Sequence, residues 1–95
     1  MNRYNHVYRA TLKKWGKEAQ FDQAVEECAE LIAVIKHYRR GKVDEETVIS
    51  ELADVALMVA QLTYMFGEER VARAVDMKLN KLNDLLDLPG SEQTE

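Results

Sequence analysis

The sequence predicts an all-α protein. Its four glycines and single proline (Gly16, Gly41, Gly67, Pro89 and Gly90) fall between long stretches that contain none. Those stretches are rich in Ala, Leu, Glu, Lys and Gln, which favour helix. No Asn-Gly turn and no alternating β-branched run of strand type interrupts them. The pattern gives four helices, near 2–14, 18–40, 45–66 and 68–87, in a single domain over 1–90. The polar residues 91–95 are expected to form a disordered tail.

The first helix follows a polar N-terminus with no apolar secretory core. On the second, Phe21, Val25, Cys28, Ile32 and Ile35 recur at three- and four-residue steps, which predicts one apolar face. Gln20, Gln23, Glu27 and Glu30 fall on another. Cys28, the only cysteine, is expected to be a small buried core residue, and no internal disulfide is possible. Arg39 and Arg40 close the helix, where cations complement its dipole. Asp44 is placed to cap the third helix, with Glu45 and Glu46 in its first turn.

The third helix is apolar around most of its circumference, from Val48 through Leu62, and is expected at the centre of a bundle. Thr47, Glu51, Asp54 and Gln61 form one narrow polar stripe on it, which argues against a membrane span. The fourth helix places Val71, Val75, Leu79, Leu82 and Leu86 on one side, with Arg70, Arg73, Lys78 and Lys81 elsewhere. This apolar helix surface exceeds what one thin bundle needs. The expectation is a four-helix bundle-like chain that assembles into a homodimer or tetramer, the third helix packing on a partner; a monomeric bundle is the alternative.

The formal net charge is −4, with no broad basic surplus, which excludes a nucleic-acid-coating role. A soluble cytoplasmic protein is expected. An acidic chain binds a polyanion only if a cation bridges the two. Two pairs of carboxylates supply such a site. Glu27 and Glu30 are three apart on the second helix, and Glu51 and Asp54 are three apart on the third. That spacing projects each pair from one side of its helix. An antiparallel turn at Gly41 would bring the pairs together. Four carboxylates so placed repel unless a cation neutralises them. Oxygen ligands suit Mg²⁺, with Mn²⁺ as a substitute, and not zinc, which favours His and Cys. A di-iron bundle needs Glu-x-x-His, and neither His6 nor His37 has a Glu three residues before it. The bland reading is that these acidic residues face water. It is weakest for Glu51 and Asp54, which interrupt an apolar helix.

The run Glu26-Glu27-Cys28-Ala29-Glu30, followed by Glu51-Leu52-Ala53-Asp54, resembles the EExxE…ExxD signature of MazG-type proteins in the all-α NTP pyrophosphatase superfamily. The resemblance spans roughly residues 15 to 82. It implies dimers or tetramers of short helical chains that hydrolyse nucleoside triphosphates, deoxynucleotides among them, to monophosphate and pyrophosphate. It implies Glu27, Glu30, Glu51 and Asp54 as Mg²⁺ ligands, with Glu26 behind them or facing outward. Glu30 is the residue chosen to orient or deprotonate the attacking water. Lys78, with Lys81 nearby, is the match for a phosphate-contacting lysine, although the spacing to Asn80 and Asn83 departs from the family's four-residue step. Trp15, Gln20 and Gln23 precede the first pair. They either line a base pocket or, for Trp15, pack a helix junction. Related alternatives are a phosphoribosyl-ATP pyrophosphohydrolase and a dimeric dUTPase. Outside catalysis, the alternatives are a helical nucleotide-sensing or interaction module that keeps a metal site, and a plain structural bundle.

Overall fold

A computed structural model describes residues 3–89, and the expected tail at 91–95 lies outside the described residues. The described residues form four helices and no strand: α1 (Asn5–Trp15), α2 (Lys17–Arg39), α3 (Glu45–Phe66) and α4 (Glu68–Leu85). The chain divides into two compact units, Met1–Met65 and Phe66–Glu95.

In the first unit, α2 ends in a turn that only a left-handed residue can make. Gly41 has φ of 73°. Its N–H donates to the Tyr38 carbonyl at 2.9 Å, and the Lys42 N–H donates to the His37 carbonyl at 2.9 Å. These bonds satisfy carbonyls that the helix end leaves without partners, and glycine takes the conformation without a Cβ clash. Asp44 then starts α3 as its sequence position indicates. Its Oδ1 accepts from the Thr47 N–H at 3.0 Å and the Thr47 hydroxyl at 2.7 Å. The hydroxyl bond and then the amide bond hold the Asp44 carboxyl below its ordinary value.

The turn sends α3 back antiparallel along α2. Tyr38 donates to Glu45 at 3.4 Å near the turn. Glu27 meets Glu51 and Asp54 further along, and Gln20 lines a cleft with Met58 beyond that. As residue number falls along α2, its neighbour's rises along α3. Helix α1 is held to α3 by a buried bond: Gln61 Nε2 donates to the Tyr8 carbonyl at 2.9 Å. The Tyr8 and Tyr64 rings lie 6.4 Å apart, tilted by 46°.

The inward faces mix polar and apolar residues. On α2, Gln20 and Ala24 are buried and Glu27, Leu31 and Val34 half-buried, whereas Val25, Cys28, Ile32 and Ile35 are exposed. Of the expected apolar face of α2 only Phe21 is partly covered, the other four residues are exposed, and Cys28 is not a core residue. On α3 the inward stripe is Thr47, Glu51, Asp54, Met58 and Gln61, of which only Gln61 is buried. Ile49, Leu52, Leu57 and Val59 are each at least half exposed. Thus α3 is not the covered centre of a bundle within this unit. The reason is geometric: a helix of this kind has one polar stripe, and that stripe faces α2. With mean hydropathy 1.4, α3 is also long and apolar enough to cross a membrane by length and composition.

The second unit is α4 and its C-terminal turn. Asp87 takes a left-handed φ of 58° where glycine is usual. Asn83 stabilises that turn by donating to the Leu88 and Pro89 carbonyls at 3.2 and 2.9 Å. The α4 residues Val75, Leu79, Leu82 and Leu86 are exposed.

With so few buried side chains, the Gln61 bond is a large part of what fixes α1. Replacing Gln61 with Ala is expected to destabilise the chain by about 1–3 kcal/mol, by loss of a buried polar partner and of packing. Urea unfolding followed by circular dichroism measures this directly.

Candidate metal centre

The antiparallel α2–α3 hairpin carries the motif residues to one place. Glu27, Glu51 and Asp54 each offer a carboxylate oxygen, and the three lie within 4.8 Å of one another. All three residues are half-buried. Glu27 Oε1 and Glu51 Oε1 are buried at the atomic level and accept no hydrogen bond. The other Glu27 oxygen accepts from Gln23 Nε2 at 2.6 Å, one turn earlier on α2. A carboxylate oxygen shut away from water without a donor is costly. Two of them facing a third carboxylate form a set of hard acceptors that suits a small divalent cation.

Glu30 stands at the exposed rim of this group and is not among the three convergent oxygens. It nevertheless feels them. Repulsion from Glu27, then from Glu51, raises its carboxyl above the ordinary value, and loss of solvent, Glu26 and a hydrogen bond with Glu51 add to the rise. Glu26 is exposed. So the hairpin brings all four motif carboxylates into one electrostatic neighbourhood, three of them tightly.

One turn towards the start of α2 lies a cleft of about 400 Å³, lined by Thr11, Trp15, Ala19, Gln20, Gln23 and Met58. Its lining is mostly apolar. Trp15, the last residue of α1, is 61% exposed and borders the cleft beside Ala19, Gln20 and Gln23 at the start of α2. Its neighbour Lys14 places an ammonium 5.2 Å from the indole centroid, an attraction to the electron-rich ring face. Gln20 is buried and Gln23 exposed along the same wall. The sequence reading placed Trp15, Gln20 and Gln23 together but missed Met58. The signal was present, because Met58 falls on the same 3.5-residue stripe as Asp54 and Gln61.

Lys78 and Lys81 belong to α4, in the second unit, and both are exposed. Lys78 borders a shallow apolar depression formed with Phe66, Arg70, Val71, Ala74 and Val75. His37 is exposed, as expected for a surface residue.

No protein-family model matches this chain, and neither a curated protein nor a solved structure is significantly similar to it.

The repulsion at Glu30 has a consequence for stability. A carboxyl whose folded value lies above its unfolded one stabilises the fold fully only below the unfolded value, and that contribution is lost as pH rises through the folded one. Ionised Glu30 therefore weakens the hairpin at neutral pH. In chelator at pH 7, Glu30→Gln is expected to melt at a higher temperature than wild type. The difference should close as pH falls through the carboxylate range, where wild-type Glu30 takes up its proton. Thermal melts across pH test this.

Proposed function

We propose that Glu27, Glu51 and Asp54, with Glu30 at the rim, hold Mg²⁺, and that the protein hydrolyses nucleoside triphosphates, deoxynucleotides included, to monophosphate and pyrophosphate. The observation that carries this reading is the convergence of three half-buried carboxylates, two with oxygens that accept no hydrogen bond. The match of those same residues to the EExxE…ExxD pattern supports it. When bound, Mg²⁺ supplies charge neutralisation against the triphosphate and lowers the pKa of a coordinated water.

This chain's own residues do the rest. Glu27, Glu51 and Asp54 are the ligands. Glu30, with its raised proton affinity and exposed position, orients the water and accepts its proton as the water attacks the α-phosphorus. The bond to the bridging oxygen breaks and pyrophosphate leaves. The cleft beside Gln23 takes the base, with Trp15 stacking on it. Lys78 and Lys81 are assigned to the phosphates on the sequence resemblance alone.

A screen of ribo- and deoxynucleoside triphosphates for pyrophosphate release, with Mg²⁺ and with chelator, tests the activity. Asp54→Ala and Glu51→Ala are each expected to lower turnover at least a hundredfold while the helical circular dichroism spectrum is unchanged. Binding of nucleotide in Mg²⁺ with no release from any substrate would instead favour a sensing module.

We also infer that a second copy covers the outer faces of α2 and α3. Val25 and Ile32 on α2, and Ile49, Leu52, Leu57 and Val59 on α3, are a larger apolar display than a monomer carries without purpose. A protein partner is favoured over lipid because Glu51, Asp54 and Gln61 belong to the inward stripe of α3, where α2 and α1 occupy them. Sedimentation in detergent-free buffer is expected to give a dimer or tetramer, and Leu57→Glu a smaller species.

A further inference from the structure

We propose that Gln23 is a positioning residue that couples the apolar cleft to the carboxylate cluster, so that a cation at the cluster tightens the binding of a planar ring in the cleft. The inference rests on the metal-binding reading above. It goes beyond that reading because it assigns communication between two places that no ligand need bridge.

The argument starts from the Gln23 amide. The side chain lines the cleft wall beside Trp15 and Gln20. Its Nε2 also donates to Glu27 Oε2 at 2.6 Å. One side chain thus belongs to both sites. A carboxylate only accepts, so Glu27 fixes which arm of the amide it receives: nitrogen towards Glu27, carbonyl away from it. The hydrogen bond thereby orients a donor–acceptor group on a wall that also carries Trp15, Ala19 and Met58.

That bond is only as fixed as Glu27. The other Glu27 oxygen, Oε1, is buried and accepts nothing, and one carboxylate oxygen of Glu27 lies within 4.8 Å of carboxylate oxygens of Glu51 and Asp54. Repulsion therefore works against a single Glu27 rotamer, and with it against a single Gln23 rotamer. A cation shared by the three carboxylates reverses the sign of that interaction and locks Glu27. Gln23 is exposed on a surface helix, and a free glutamine side chain loses considerable rotamer freedom when a ligand fixes it. If the cation has already imposed that order, the cleft ligand binds without the same loss. Coupling of this kind is reciprocal: the ring in the cleft tightens the cation by the same factor.

The test uses nucleosides, which lack the phosphate oxygens through which a nucleotide would bridge to the cation. Trp15 is the only tryptophan in the chain, so its fluorescence reports the cleft without labelling. The full chain is titrated with the common ribo- and deoxynucleosides, with saturating Mn²⁺ or with chelator, and Mn²⁺ affinity is measured separately by calorimetry. In wild type, the best-bound nucleoside is expected to bind about fivefold more tightly with Mn²⁺ than without. Gln23→Met keeps the length and apolar character of the wall but has no donor. It is expected to bind both ligands and to show equal nucleoside affinity in the two conditions. A loss caused by general damage to the wall would weaken nucleoside binding in chelator too, which separates the two causes.

Wild-type nucleoside affinity that ignores Mn²⁺, or coupling that survives in Gln23→Met, overturns the proposal while leaving the metal site standing. Absence of saturable Mn²⁺ binding in the calorimeter overturns the metal-binding reading itself. Saturable Mn²⁺ binding with no nucleoside response from Trp15 overturns the cleft as the coupled site.

Discussion

The organisation of the first unit follows from the polar seam between α2 and α3. Most helical hairpins bury their apolar stripes against each other and turn charge outward. Here Glu27, Glu51 and Asp54 meet in the seam, with Gln20, Gln23 and Gln61 along it. Like charges held within 4.8 Å of one another oppose the pairing of the helices that carry them. At the turn, Gly41, the Asp44 cap and the Tyr38–Glu45 bond join α2 to α3; at the far end the Gln61–Tyr8 bond and the two tyrosine rings join α3 to α1, and Ala24, Leu31 and Val34 are covered on α2 between them.

That seam also explains the exposed apolar residues. A helix has a limited circumference, and α3 spends its inward stripe on Thr47, Glu51, Asp54, Met58 and Gln61. Away from that stripe, Ile49, Leu52, Leu57 and Val59 of α3 are at least half exposed, while Val48, Val55, Leu62 and Tyr64 are partly covered. The same inversion on α2 leaves Val25, Cys28 and Ile32 outside. The carboxylate cluster and the outward apolar faces are therefore two results of one choice of helix register.

The proximity of the cleft to the cluster follows from α2 as well. Gln20, Gln23 and Glu27 are three and four residues apart, so one helix face carries the cleft wall and the first carboxylate in succession. The single hydrogen bond from Gln23 to Glu27 is the physical link between an apolar surface and a charged one. Glycine at position 16 lets α1 meet α2 with a φ of 88°, and Thr11 and Trp15 of α1 complete the other wall.

The sequence by itself determined the four helices to within a few residues, because glycine, proline and capping chemistry are local and act through backbone conformation. It also determined that Glu27 and Glu30, and Glu51 and Asp54, pair on their helices, since that is a matter of helical pitch. Only the tertiary structure decided which face of each helix turns inward. The polar stripe of α3 faces α2, as convergence of the two carboxylate pairs requires, whereas the ordinary rule that apolar faces go inside fails on α2, where Val25, Cys28, Ile32 and Ile35 are exposed. Burial depends on what the facing helix offers, and that is a property of pairing rather than of either segment. The same holds for Glu30, which the sequence placed level with the other three carboxylates. The crossing of α2 with α3 leaves it at the rim, close enough to feel their charge and far enough out to meet water.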